Sequence, residues 1–182
     1  MRIEQKYFVP FMLAVAALCI VLITYFNFRS AGQQQQHFTE RVGDGRALYE
    51  HTYPQYFKDD GISPQTIAAQ DSAAVALLFW GSWSDRSAEA LRTLQQVAAT
   101  DSLKLRIFAA AIKDGEDFIR EVEQQTPPEV PVFFVEGDEI YNELKLPGLP
   151  SLIVFDADGG LHGARYGYSG ASDYDFIRRL ND

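Results

Sequence analysis

Cysteine is almost absent from this sequence, and its scarcity limits the chemistry that the chain can perform. The 182 residues include one cysteine, Cys19, so no disulfide bond can form within a single chain. Disulfide exchange requires a thiolate that attacks and a second sulfur that closes the ring. Cys19 lies inside an apolar run, where a cysteine acts as a small packing residue. The composition therefore argues against dithiol chemistry.

Histidine and the common ligand-binding motifs are scarce as well. The three histidines, His37, His51 and His162, fall in separate segments, and nothing places one of them beside a serine. A serine nucleophile needs a base and an oxyanion site, so serine hydrolysis is not supported. The acidic residues between positions 136 and 143 lack the spacing of a calcium loop. We find no zinc spacing, phosphate loop or dinucleotide fingerprint, and we expect no metal or cofactor.

Basic residues are outnumbered after the first 28 positions. Residues 29–182 hold 14 basic side chains against 24 acidic ones. Binding to nucleic acid needs a basic surface, and so does attraction to anionic lipid. The charge therefore excludes nucleic acid as a partner of this region. It favours basic partner surfaces, although an acidic surface also serves solubility alone.

A long apolar run stands near the N-terminus. Residues 7–28 carry no charge between Lys6 and Arg29, and as one helix they suffice to cross a bilayer core. The run is too long for a cleaved signal peptide, and no Ala-x-Ala site follows it. A lipid anchor on Cys19 is a weaker alternative because the bulky Leu18 precedes it. We expect a cytoplasmic tail over residues 1–6, a transmembrane helix over residues 7–28 in contact with the lipid bilayer, and an extracytoplasmic remainder.

The remainder is predicted to form a connecting segment and one domain. Residues 29–61 are interpreted as a polar tether, 29–37, and an amphipathic helix, about 46–57. Four aromatic residues of that helix could pack on the domain or contact a partner: Tyr49, Tyr53, Tyr56 and Phe57. Over residues 62–182, apolar runs of strand length alternate with helical spacing, and a hairpin and a closing helix follow. This order predicts an α/β sandwich with a mixed central sheet.

Some side chains of this domain can be assigned a place in advance. Trp80 and Trp83 are expected to be half-buried core residues. In a helix predicted over residues 114–125, the residues Phe118, Ile119 and Val122 are expected to share one face.

Three motifs in this region resemble the thioredoxin superfamily. Residues 79–87, Phe-Trp-Gly-Ser-Trp-Ser-Asp-Arg-Ser, resemble the Phe-Trp-Ala-x-Trp-Cys-x-x-Cys motif of the membrane-anchored TlpA-like branch. Residues 146–151 place Pro150 at the cis-proline position of the family, with Leu149 beside it. Residues 153–159 resemble the strand and the Asp-Gly turn that follow this proline. The interval of 63 positions from Ser87 to Pro150 is similar to that of the TlpA-like branch, which inserts a helix and a strand there.

The redox pair of that motif is replaced. Ser84 and Ser87 stand where the resemblance implies two cysteines, and Asp85 and Arg86 lie between them. A serine hydroxyl is not ionised at neutral pH and cannot form a disulfide. The resemblance thus implies a thioredoxin-like fold in a chain without thiol chemistry. Ser84 or Ser82 is expected to cap the following helix, and Ser82-x-x-Asp85 fits a capping box.

The sequence leaves three functional hypotheses. The first is a non-enzymatic, redox-inactive interaction module in the cytoplasmic membrane of a bacterium, with its domain in the periplasm, which serves as an accessory or assembly subunit of a complex. Its partners would be other membrane proteins or a periplasmic protein. The second is a periplasmic thiol-disulfide oxidoreductase of the cytochrome c maturation type whose cysteines have been substituted. The third is a chaperone-like module that holds peptides in the groove near Trp83 and Pro150.

Overall fold

The first of two compact units, Met1–Gln36, consists in its described part of one helix. The computed structural model describes residues 5–100, 104–126, 130 and 132–181, so most of the predicted tail over residues 1–6 lies outside the described residues. Helix α1 (Gln5–Val42) contains the apolar stretch Phe8–Phe26, none of which is buried against protein. The 19 residues of this stretch span about 28 Å, close to the thickness of a bilayer core. This length and composition suit a membrane anchor or a signal sequence.

The segment predicted as a polar tether, residues 29–37, is helical instead. Helix α1 continues through it to Val42. Glutamine, alanine and arginine are good helix formers, and the apolar turns before them supply the helix nucleus that a short polar segment would lack. The helix ends where Gly43 takes the left-handed conformation (φ +58°) and donates its N–H to Thr39 O at 3.0 Å. Polarity alone therefore does not indicate a flexible segment here.

The second compact unit begins at His37, earlier than the domain boundary predicted at residue 62. Phe38, Leu48 and Tyr53 are fully buried in it. Residues 37–61 therefore belong to the core of the domain, and the predicted boundary is corrected accordingly.

The amphipathic helix predicted over residues 46–57 is much shorter in the structure. Helix α2 ends after five residues, because Pro54 disfavours helical conformation in the residue before it. Two short antiparallel strands and a helix that the sequence pattern did not reveal follow. The bounds are α2 (Arg46–Glu50), β1 (Tyr53–Pro54), β2 (Gly61–Ile62) and α3 (Pro64–Asp71).

A five-stranded mixed sheet forms the centre of the second unit, with strand order β5-β4-β3-β6-β7. The bounds are β3 (Ala74–Trp80), β4 (Leu105–Ala111), β5 (Val132–Glu136), β6 (Ser151–Phe155) and β7 (Leu161–Tyr166). Strands β3, β4 and β5 are parallel, whereas β6 runs antiparallel to β3 and β7 runs antiparallel to β6. The prediction of an α/β sandwich with a mixed central sheet is confirmed.

Helices cover both faces of this sheet, and each face has its own hydrophobic core. On one face pack α4 (Asp85–Thr100), α5 (Glu116–Gln125) and a C-terminal helix (Ala171–Asn181) that is 3-10 rather than α. On the other pack the end of α1, α2, α3 and α6 (Asp138–Glu143). Side chains alternate along β3, with Leu78 and Trp80 in the first core and Leu77 and Phe79 in the second. Because both faces are covered, β3 is apolar throughout.

Candidate functional site

The segment that carries the two serines lies at the C-terminal ends of the parallel strands. We call this end of the sheet the edge of the site, as distinct from the outermost strands β5 and β7. It follows β3 directly. Strand β6 begins at the same edge, because its first residue, Ser151, is paired with Phe79 of β3. Pro150 therefore stands beside the end of β3, and its peptide bond with Leu149 is cis. The serine motif and the cis-proline, which the sequence places 63 positions apart, thus share one edge.

Ser84 and Ser87 are joined through the first turn of α4. Ser84 Oγ accepts a hydrogen bond from Ser87 N at 3.4 Å, an arrangement that satisfies one of the free amides at a helix start. Ser84 is half-buried, whereas Ser87 is fully buried, and the Ser87 hydroxyl has no hydrogen-bond partner among the described residues. The predicted capping role of Ser84 is confirmed. A Ser87 hydroxyl without a bonded base is not activated as a nucleophile.

Ser82 makes a different contact from the predicted one. The capping box between Ser82 and Asp85 is wrong, because Ser82 donates from both its backbone N and its Oγ to the carboxylate of Asp114, each at 2.6 Å. Asp114 lies between β4 and α5. Hydrogen bonds to an ionised carboxylate are the stronger class, so this pair joins the loop after β3 firmly to the loop after β4.

Asp85 and Arg86, which separate the two serines, are exposed in the first turn of α4. A carboxylate at this position interacts favourably with the positive end of the helix dipole. Both side chains therefore lie on the protein surface and do not pack into the core.

The two tryptophans occupy opposite environments, and the prediction that both are half-buried is wrong. Trp80 is fully buried, and its Nε1 has no hydrogen-bond partner in the part of the chain that the structure describes. Trp83 is 65% exposed, and its Nε1 donates to Ile112 O at 3.3 Å. Its ring covers Gly81, where a Cβ would lie 2.7 Å from the indole, so any larger residue at Gly81 would displace Trp83. Trp80 thus belongs to the core and Trp83 to the surface.

The aromatic segment after α2, predicted as a possible partner contact, packs onto its own domain. Tyr53 is fully buried and donates its hydroxyl to Leu48 O at 3.2 Å; burial raises the pKa of this tyrosine. Tyr49 is half-buried, and its ring lies 5.0 Å from the Phe155 ring, centroid to centroid. Tyr53 is therefore corrected from a candidate contact to a core residue.

Tyr56 and Phe57 cover the free side of β5. The Tyr56 N–H bonds to Phe134 O at 3.1 Å, and its hydroxyl donates to Asp114 O at 3.4 Å. Burial, followed by the charge of Glu136, raises the pKa of Tyr56 to about 12. The Arg120 guanidinium lies 4.8 Å from the centroid of the half-buried Phe57 ring, a cation–π contact. This segment therefore protects a sheet edge that would otherwise be open.

Sequence reasoning missed two residues of the site. The sequence pattern places Asp114 at the start of a helix and does not link it to Ser82. The available signal is its position directly after an apolar strand, because the ends of parallel strands meet on one side of the sheet. Phe118 was expected to share the packing face of Ile119 and Val122. It is instead 61% exposed, whereas Ile119 is fully buried.

No family model and no curated protein matches this chain. Solved structures do match it. A secreted disulfide oxidoreductase from Mycobacterium tuberculosis is 14% identical, with a TM-score of 0.57 over 74% of this chain and 96% of that one. A thiol:disulfide interchange protein from Chlorobium tepidum is 16% identical, with a TM-score of 0.56 over 71% and 91%. A secreted thiol-disulfide isomerase from Corynebacterium glutamicum is 15% identical, with a TM-score of 0.57 over 73% and 84%.

These similarities cover the greater part of each solved relative. At sequence identities this low, they show a shared fold and nothing further. The sheet order, the helices on both faces and the cis-proline at the edge agree with what the sequence resemblance implies. The chain therefore has the thioredoxin-like fold.

Proposed function

We propose that this chain is a membrane-anchored thioredoxin-like binding module that performs no thiol-disulfide chemistry and serves as an accessory or assembly subunit of a membrane protein complex. The observation that supports it is the pair Ser84 and Ser87 at the start of α4, where the resemblance implies redox cysteines. Ser84 acts as a helix cap and Ser87 is buried, so both hydroxyls have structural positions. The one cysteine, Cys19, lies in the apolar stretch of α1.

The binding surface in this proposal lies around Trp83, Leu149 and Pro150. Trp83 is exposed and Leu149 is half-buried beside the cis-proline. An extended partner segment could pair with the main chain at Leu149 through hydrogen bonds, which require no sulfur. A module that keeps this edge and lacks the thiols would hold a partner without exchanging disulfides with it. The activity named for the solved relatives is not carried over, since the residues that perform it are replaced.

The proposed location is the cytoplasmic membrane of a bacterium, with the domain on the outer side. The apolar stretch of α1 supports the anchor. The positive charges near the N-terminus, among them Lys6, support an N-terminus in the cytoplasm. Two of the solved relatives are described as secreted, which accords with an extracytoplasmic domain.

Restoring the two cysteines tests the redox part of the proposal. The full chain in mild detergent should not reduce insulin disulfides above the rate of a buffer control. The variant Ser84→Cys/Ser87→Cys should gain two thiols that oxidise together, because a cysteine at a helix N-terminus has a lowered pKa and its partner lies one turn away. Ser84→Cys alone is the matched control and should gain one thiol that cannot close a ring. Insulin reduction by the unsubstituted chain would contradict the proposal.

Purification of the tagged full chain from its own membrane tests the binding part. A partner that stays bound at a stoichiometric level, and that a Leu149→Arg variant loses while melting at the same temperature, is the expected result. A chain that purifies alone in both forms would count against a role as a subunit.

A further inference from the structure

The described part of His37–Asp182 exposes two large apolar side chains, Trp83 at 65% and Phe118 at 61%. Both are attached to the segment that follows β4. The Trp83 indole bonds to Ile112 O, and the Phe118 N–H bonds to Gly115 O at 3.1 Å. Trp83 follows β3 and contacts the loop after β4 through Ile112, whereas Phe118 lies in the first turn of α5, which that loop leads into. Single exposed apolar residues are common, but large exposed rings at the two ends of one loop are the kind of anchor that dominates binding energy at protein interfaces. We call the surface of Trp83, Phe118 and the loop between them the aromatic face.

A cavity of about 120 Å³ adjoins the aromatic face, between α4 and α5. Its lining includes Ser82, which precedes Trp83, together with Arg92 and Val122, whereas neither exposed ring lines it. The buried Trp80, whose Nε1 bonds to none of the described residues, lines it as well. A water molecule needs roughly 10–15 Å³ of such volume, so this cavity has room for several waters or one inserted side chain.

Carboxylates surround the same edge. The end of β5, the loop after β4 and the first turns of α4, α5 and α6 carry seven acidic side chains and two basic ones: Asp85, Asp114, Glu116, Asp117, Glu136, Asp138 and Glu139, against Arg86 and Lys113. One of the acidic side chains, Glu116, is paired with Arg120 one turn further along α5. Asp114 is bonded by Ser82 and Asp138 by the backbone N–H of Lys113 at 3.2 Å, so neutral donors rather than cations hold these two carboxylates. The edge therefore keeps a net negative charge, which attracts a positively charged partner.

We infer that the aromatic face binds a basic amphipathic protein segment, whose apolar side chain enters the cavity and whose lysine or arginine residues meet the surrounding carboxylates. This inference rests on the proposed binding function and names the chemistry of the partner. The aromatic face extends from Trp83 toward α5, on the β4 side of β3, whereas Leu149 and Pro150 lie on its β6 side. Cations also bind the faces of aromatic rings, so the rings and the carboxylates favour the same partner. Anionic lipid and nucleic acid would be repelled.

Fluorescence of Trp83 provides the test. The probe is a short peptide of alternating lysine and leucine, and a peptide of glutamate and leucine is its matched control. The full chain is kept in an uncharged detergent, and quenching by acrylamide reports Trp83, because Trp80 is buried. The lysine peptide should protect Trp83 from quenching, and Phe118→Ala should weaken its binding by at least about fivefold.

Two charge variants locate the effect. Asp117→Asn removes a carboxylate from the edge, and Asp158→Asn removes an exposed one from the turn after β6, at the opposite edge of the sheet. Only Asp117→Asn should weaken binding and reduce its dependence on salt. Equal effects of the two variants, or no binding of the lysine peptide, would overturn the inference.

The variant Leu149→Arg separates this inference from the proposed function. Binding that Leu149→Arg abolishes and Phe118→Ala leaves intact would place the contact in the groove beside Pro150. That result overturns the aromatic face and leaves the binding function standing. Redox activity of the unsubstituted chain would instead overturn the proposed function.

Discussion

Replacing Asp114 with alanine removes two hydrogen bonds at once, those that Ser82 donates from N and Oγ at 2.6 Å. Bonds to charged groups contribute about 1.5–3 kcal/mol each when they are fully buried. Ser82 and Asp114 are only half-buried, so water compensates part of the loss. We therefore expect Asp114→Ala to reduce the free energy of unfolding by about 2 kcal/mol, which lowers the Tm by roughly 4–8 °C in a chain of this size.

Unfolding of the full chain in detergent, followed by near-ultraviolet circular dichroism, measures this loss. Ser82→Ala removes only the hydroxyl donor and should cost about 1 kcal/mol. The double variant should lose less than the sum of the two single variants, because they share one hydrogen bond. Asp117→Ala, an exposed neighbour on the same loop, is the control and should change the stability by less than about 0.5 kcal/mol.

The reasoning also makes a local prediction. Trp83 follows Ser82 and bonds to Ile112 near Asp114, so loosening this link should make the indole more mobile and increase acrylamide quenching. Two results would refute the claim that this link stabilises the edge. One is an Asp114→Ala variant with the same Tm as the unsubstituted chain, and the other is a double variant whose loss of unfolding free energy equals the sum of the two single losses.

Two further predictions concern pH. Burial alone would raise the pKa of Asp173, but the hydrogen bonds from Ser169 and Arg165 outweigh it and lower the pKa. Such a carboxyl stabilises the fold above its unfolded pKa of about 3.9 and loses this effect as the pH falls through the folded value. Asp173→Asn should thus flatten the acid side of the stability profile in urea unfolding, and an unchanged profile would contradict the assignment. At alkaline pH, burial raises the pKa of Tyr53, Tyr56 and Tyr174, that of Tyr56 to about 12, so stability should fall as the pH rises above about 10. Tyrosinate absorbance should show these groups ionising only as the chain unfolds; free ionisation in the folded chain would be the contrary result.

The central strands could be predicted because burial on both faces leaves a direct trace in the sequence. Strand β3 is an unbroken apolar run since its two faces meet different cores, and β4 and β6 follow the same rule. Residues 29–57 were harder to predict. Helix α1 extends through glutamines because an apolar helix precedes them, and β1 exists because Tyr53 is drawn into the core. Both outcomes depend on context beyond the local pattern.

The residues of the site likewise divide into those that a local pattern predicts and those that depend on contacts distant in sequence. Ser84 as a helix cap is a local feature, and a local pattern predicts it. The bonds of Ser82 with Asp114 join residues 32 positions apart, and the exposure of Trp83 depends on Gly81 and Ile112 together. Periodicity cannot show which of two tryptophans separated by two residues enters the core when the strand ends between them.

The two serines in place of cysteines and the exposed side chains around them both support the proposed binding role. A redox site needs its attacking group accessible and ionisable, and here Ser87 is buried and Ser84 accepts an amide at the helix start. The exposed groups at this edge are instead an indole, a phenyl ring, several carboxylates and the basic side chains of Arg86 and Lys113. Such groups suit contact with a partner surface, which is the role that the proposed function gives them. Under the proposed function, stability and recognition at this edge would thus depend on different residues. Asp114→Ala should lower the Tm, whereas Phe118→Ala should weaken binding while the Tm stays unchanged.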